Sequence, residues 1–63
     1  MKAGDTVMLK RNTWVDWEMK TNNYKPHWIP AGLYKVFSAP RHGITVMLDT
    51  PDGVFALPSY DIR

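Results

Sequence analysis

The sequence contains no cysteine among its 63 residues, which excludes disulfide bonds, thiolate metal sites and a cysteine nucleophile. No stretch approaches the roughly 20 apolar residues that span a bilayer, and the first residues lack the apolar run of a secretory signal. Helical periodicity is also scarce, because the apolar residues recur in short alternating runs. We therefore expect one small cytoplasmic domain over residues 1–63, with no membrane partner.

The chain also has only a small excess of positive over negative charge. Eight Lys and Arg residues stand against six Asp and Glu residues, which gives a formal net charge of +2. The basic residues are scattered along the chain, so charge alone does not require a nucleic-acid partner. His27 and His42 lack the spacing of a zinc site. We expect no metal ion and no cofactor.

The apolar residues that are present predict β-strands. Alternation predicts strands at residues 6–10, 33–38, 44–49 and 54–57. In the third of these, Ile44, Val46 and Leu48 are expected to point to the same side. Residues 50–53 have the composition of a tight turn, and residues 58–61 that of one helical turn. Residues 12–30 show little alternation and contain several Asn and Pro residues, which favours a long loop or an irregular hairpin.

Three segments carry a resemblance to a known superfold. They are Gly4-Asp5-Thr6-Val7, Gly32-Leu33-Tyr34-Lys35-Val36 and the closing run from Gly53 to Ile62. Together they resemble the Src-homology-3-like (SH3-like) barrels. The resemblance implies an all-β, five-stranded barrel with a long aromatic-rich loop after strand 1 and a terminal 3₁₀ turn. The signalling members' acidic opening and tryptophan pair are missing, so the resemblance does not imply binding of proline-rich peptides.

The predicted loop at residues 12–28 is the strongest candidate for a binding surface. It holds all three tryptophans, and exposed aromatic side chains on a rigid scaffold are typical of binding sites. The competing interpretation is that they fill the core, since a Trp side chain buries roughly 200 Å². We expect Trp28 in or over the core, at least one of Trp14 and Trp17 partly exposed, and Tyr24 exposed.

A basic and aromatic mixture offers a second interpretation. Interleaved positive charge and aromatic rings bind single-stranded nucleic acids. The residues that would form such a face are Lys20, Tyr24, Lys25, His27, Trp28, Lys35, Arg41 and His42. Asp16 and Glu18 lie in the same predicted loop and would oppose phosphate groups.

Catalytic patterns are weak, because most carboxylates fall at predicted turns, where Asp is favoured for local hydrogen bonds. The sequence thus predicts a non-catalytic module that recognises a protein partner, in the manner of small bacterial or phage accessory proteins. Asp16, Glu18 and Lys20 are expected at the rim of the contact. The predicted binding residues are Trp14, Trp17, Tyr24, Lys20, Lys25, His27 and Arg41. The alternatives are RNA or single-stranded DNA binding, and a subunit of a multi-subunit or homo-oligomeric enzyme; the oligomeric state stays open.

Overall fold

A computed structural model describes residues 1–63 as one antiparallel sheet of six strands followed by a short helical turn. The elements are β1 (Thr6–Leu9), β2 (Thr13–Glu18), β3 (Asn23–Ile29), β4 (Gly32–Ser38), β5 (Thr45–Thr50), β6 (Gly53–Pro58) and the 3₁₀ turn η1 (Ser59–Asp61). The strand order is β1-β4-β5-β6-β2-β3. The sheet is not closed, so β1 and β3 are its two outer strands.

The all-β class, four of the strands and the terminal 3₁₀ turn are confirmed. The β5–β6 hairpin has a continuous register from Thr45↔Pro58 to Thr50↔Gly53, which places the predicted tight turn between the two strands. Ile44 is an exception, because β5 begins at Thr45 and Ile44 is exposed in the preceding connection.

The prediction of five strands with a long loop at residues 12–28 is wrong. This segment forms the β2–β3 hairpin instead. Two features that argued for a loop are compatible with a hairpin. Asn22 adopts a left-handed φ of 56° in the turn, which Asn tolerates better than most residues. Pro26 lies on an outer strand, where a missing N–H group is tolerated.

The core lies on the inner side of the sheet and draws on every strand. Phe55, Leu9 and Leu48 are completely buried, and strand alternation turns Met8 and Asp49 toward solvent. The cluster consists of Val7, Leu9, Val15, Ile29, Val36, Val46, Leu48, Phe55, Leu57 and Ile62. Val15 and Ile29 belong to the β2–β3 hairpin, so the hairpin contributes to the core and also presents residues outward.

The C-terminal residues pair with the outer side of β1. Lys10 N donates to Asp61 O at 2.9 Å, and Arg63 N donates to Met8 O at 2.8 Å. The Arg11 guanidinium also lies 3.1 Å from the buried Asp61 carboxylate. These contacts cover one outer strand and leave β3 as the strand with an unpaired edge. None of the chain's helical segments has the length and apolar character to cross a membrane.

Candidate binding surface on the β2–β3 hairpin

Four large aromatic side chains of the β2–β3 hairpin are exposed to solvent. Trp14 is 51% exposed, Trp17 45%, Tyr24 67% and Trp28 61%. We refer to these four residues as the aromatic surface, as a name for the exposed rings of one hairpin. Exposure of this much aromatic area within one hairpin is unusual, because large aromatic side chains are mostly buried in small domains.

The strand register joins these rings into two cross-strand pairs. Trp14 lies opposite Trp28, and Trp17 lies opposite Tyr24. The rings of Trp14 and Trp28 meet edge to face, with centroids 5.6 Å apart and planes at 66°. The expectation that Trp28 would lie in or over the core is therefore wrong. Its neighbour Ile29 is the buried residue, and alternation along β3 directs Trp28 to the other side.

A bulge separates the two aromatic pairs. Between the pairs Val15↔His27 and Trp17↔Tyr24, β2 has one intervening residue, whereas β3 has two. The extra residue arises at Lys25 and Pro26. Bulges increase the local twist and interrupt regular pairing. A bulge with a proline thus makes the free edge of β3 a poor template for adding another strand, so side chains are the part of the hairpin available for recognition.

The turn of the hairpin restrains one of the four rings. The Trp17 indole N–H donates to Asn22 Oδ1 at 3.1 Å. Because Asn22 sits in the turn with a left-handed backbone, its side chain is held in a defined position. The Trp17 ring is consequently oriented before any partner binds.

A buried carboxylate attaches the hairpin to β6. Glu18 Oε2 accepts from the backbone N–H of Val54 at 2.6 Å and of Lys20 at 3.0 Å. Its Oε1 accepts from the backbone N–H of Thr21 at 2.6 Å and from the Thr21 hydroxyl. The sequence placed Glu18 at the rim of a contact, and that prediction is wrong, since its side chain is buried.

The hydrogen bonds to Glu18 change its acidity. Hydrogen bonds from the hydroxyl and the backbone of Thr21 lower the Glu18 pKa from 4.5 to about 2, and bonds from the backbone of Lys20 and Val54 contribute. Burial acts in the opposite direction and raises the Glu18 pKa. The ionised form accepts all four bonds without a cationic partner. Glu18 therefore acts as an anionic acceptor that fixes the hairpin turn and β6 together.

The lowered pKa predicts how acid affects stability. A carboxyl whose folded pKa lies below its unfolded value stabilises the fold above the unfolded pKa and loses that effect as pH falls. The stability difference between the wild type and Glu18→Gln should therefore be greatest above about pH 4.5 and shrink toward pH 2. Denaturant titrations of both proteins across this range measure it. A difference that is the same at all pH values contradicts the role of Glu18.

Lys25 and His27 contact β6 and the β5–β6 turn. The Lys25 ammonium donates to the backbone carbonyl of Asp52 in the β5–β6 turn. His27 Nε2 lies 3.7 Å from the Asp52 carboxylate, and the His27 ring meets Phe55 edge to face at 4.7 Å. Both side chains help to dock the hairpin on the rest of the sheet.

The remaining basic candidates are dispersed. Lys20 is in the β2–β3 turn and is exposed. Arg41 lies in the β4–β5 connection, where it lines a small depression with Met1 and Ser59. Lys35 is on β4, opposite Thr6 and Asp49. The structure thus brings Trp14, Trp17 and Tyr24 onto one hairpin and leaves Arg41 elsewhere.

A second group of exposed apolar side chains was missed by the sequence reasoning. Met8 on β1 lies directly opposite Leu33 on β4, and both are exposed, as is Phe37 further along β4. The signal was present, since Leu33 and Phe37 alternate with the buried Val36. This group contains one aromatic ring, against four on the hairpin.

The chemistry that the hairpin offers comes from its exposed aromatic side chains. Its exposed rings present apolar faces and polarised edges, which suit apolar, aromatic or cationic groups. No group of three or more His, Cys, Asp or Glu side chains is arranged to hold a metal ion. Besides the depression at Arg41, the molecule has an open polar cleft between the β2–β3 and β5–β6 turns, lined by Lys20, Lys25, Asp49 and Asp52 among others.

Comparisons with protein-family models, with curated proteins and with solved structures find no match to this chain.

Proposed function

We propose that this protein is a non-catalytic binding module that recognises a protein partner through the aromatic surface of Trp14, Trp17, Tyr24 and Trp28. The observation that carries the proposal is the exposure of all four rings on one hairpin. Trp and Tyr are enriched among the few interface residues that supply most of the binding energy. Their burial against a partner would remove a large apolar area from water.

The way the hairpin is held supports the same proposal. Asn22 orients the Trp17 ring, Glu18 joins the turn to β6, and Lys25 reaches the β5–β6 turn. A surface fixed before binding loses less conformational entropy when the complex forms. The aromatic rings therefore resemble pre-positioned anchors more than side chains of a mobile loop.

The nucleic-acid alternative has weaker support from the positions of the basic residues. Lys25 is engaged with Asp52, and Arg41 and Lys35 lie on other elements of the sheet. A phosphate chain on the aromatic surface would therefore find few of the cations that bring it there. We keep RNA or single-stranded DNA binding as one outcome of the experiment below.

The direct experiment is affinity capture from a lysate of the cells that express the protein. The bait is the wild type, and the control bait is the Trp14→Ala/Trp28→Ala double variant, with nuclease-treated and untreated lysate in parallel. We expect one protein to be retained by the wild type, lost with the double variant and unaffected by nuclease. Retention that depends on intact nucleic acid, or that is equal with both baits, contradicts the proposal.

We further propose that the open sheet is a member of the SH3-like class and that the protein works in the cytoplasm. The backbone hydrogen bonds from Lys10 N to Asp61 O and from Arg63 N to Met8 O support the first part, because they continue the sheet beyond β1 toward closure. The lack of cysteine fits a reducing compartment. Slow hydrogen exchange at the Lys10 and Arg63 amides is expected, and fast exchange at both contradicts the proposed closure.

A further inference from the structure

One exposed carboxylate on the hairpin has no partner within the molecule. Asp16 lies on β2 between Trp14 and Trp17, and it forms neither a hydrogen bond nor an ion pair. Elsewhere in the chain, Asp61 forms an ion pair with Arg11, and the Asp52 carboxylate lies 3.7 Å from His27. Glu18 accepts four bonds from neutral donors. Asp16 is thus a free negative charge among exposed aromatic rings.

Strand geometry places Asp16 beside the Trp14–Trp28 pair. Along β2, Thr13 and Val15 are buried, whereas Trp14 and Asp16 are exposed, so the latter two share the outward side. Residues two apart on a strand are separated by roughly 7 Å. A cationic group within about 6 Å of an indole ring interacts favourably with the ring face. One side chain can therefore reach both the indole and the carboxylate.

We propose that the protein partner presents a lysine or arginine side chain to Trp14, Asp16 and Trp28. The proposal rests on the proposed function and specifies the chemistry of the partner. The cation packs on the Trp14–Trp28 pair and forms an ion pair with Asp16. The chain supplies no such cation itself, because the nearby Lys25 is directed to Asp52 on the β5–β6 turn.

The charge of the site favours this occupant over an acidic or phosphorylated one. A partner carboxylate or phosphate at the Trp14–Trp28 pair would meet the negative charge of Asp16 and the negative faces of the indole rings. A neutral apolar side chain would cover the Asp16 carboxylate without compensating its charge. A cation attracts both the ring faces and the carboxylate, whereas a neutral hydrogen-bond donor would leave the charge of Asp16 uncompensated.

Selection of random 12-residue peptides displayed on phage tests the inference. The wild type is immobilised as the target, and the Trp14→Ala/Trp28→Ala variant serves for counter-selection. Enriched peptides are synthesised with each Arg replaced by citrulline, its neutral isostere, or each Lys by norleucine. Their Kd values are measured against the wild type and Asp16→Asn.

We expect the enriched peptides to share a basic residue whose neutral replacement weakens wild-type binding about fivefold, the size of one exposed ion pair. Against Asp16→Asn the same replacement should have a clearly smaller effect, which identifies Asp16 as the partner of that charge. Peptides that need the two tryptophans but tolerate the neutral replacement overturn this inference and leave the proposed function standing. Failure to select any peptide that distinguishes the wild type from the double tryptophan variant overturns both.

Discussion

Replacing Gly53 by alanine is expected to lower the free energy of unfolding by about 3 kcal/mol, near the upper end for local backbone strain. Gly53 has a φ of +135°, a conformation that residues with a Cβ rarely adopt, and an added Cβ would lie 2.6 Å from Glu18 Cγ and 2.8 Å from Oε2. The Glu18 side chain cannot move away without releasing the four hydrogen bonds that hold the hairpin. Backbone strain and loss of this attachment therefore act together.

Gly43→Ala is the matched control for this substitution. Gly43 also has a positive φ, of +73°, but an added Cβ would meet no atom within 4 Å. Its replacement should lower the free energy of unfolding only by the strain of the left-handed backbone, about 1 kcal/mol. Denaturant unfolding of both variants provides the comparison. Equal losses in the two variants would show that the contact between Gly53 and Glu18 contributes nothing to stability.

Alanine at Trp14 or at Trp28 is expected to weaken binding of the captured partner by about 2 kcal/mol or more, roughly 30-fold in Kd, as for interface residues that dominate affinity. Each substitution removes one ring of the edge-to-face pair and the apolar area it would bury in the complex. Both side chains are exposed, so the folded state should lose little stability. Calorimetric titration measures the affinity, and the thermal midpoint confirms the fold.

Tyr24 and Tyr60 offer a control matched in residue type and exposure. Tyr24 is 67% exposed on the hairpin, whereas Tyr60 is 70% exposed in η1. Tyr24→Ala should weaken binding, and Tyr60→Ala should leave it unchanged. If the two variants lose affinity equally, the hairpin has no special part in recognition.

The sequence predicted the β5–β6 hairpin because its signals agree with one another. Val46 and Leu48 alternate with less buried residues, and the turn contains Pro51 and Gly53 at positions suited to it. Alternation along β5 together with the turn chemistry suffices here, although the adjacent residues Val54 and Phe55 are both buried in β6. The terminal turn η1 was predictable for the same reason, from the residues around Pro58.

The β2–β3 hairpin was not predictable by the same reasoning. Pro26 indicates the end of a strand when only the sequence is considered. It is tolerated in β3 because β3 is an outer strand, and the strand order alone reveals this. Trp28 reads as a core residue from its size, but the register places it opposite Trp14. The size of a side chain does not indicate the side of the strand on which it lies, and alternation with the buried Ile29 directs Trp28 outward.

The role of Glu18 was also beyond the sequence. An acidic residue beside Trp17 resembles an exposed charge such as Asp16, although Lys20 and Thr21, two and three residues later, donate three of the hydrogen bonds to it. The fourth comes from the backbone of Val54, which lies 36 residues away. Contacts at such separations depend on the tertiary fold, so the buried and the exposed carboxylate could be told apart only in the structure.

The most direct measurement is the map of amide and indole chemical-shift changes when the captured partner is added to the isotope-labelled protein. The partner is proposed to bind the β2–β3 hairpin. We therefore predict the largest changes at the indole groups of Trp14, Trp17 and Trp28 and at the amides around them, with little change at Met8 and Leu33. Changes centred on Met8, Leu33 and Phe37, with the three indole signals unmoved, would contradict the account.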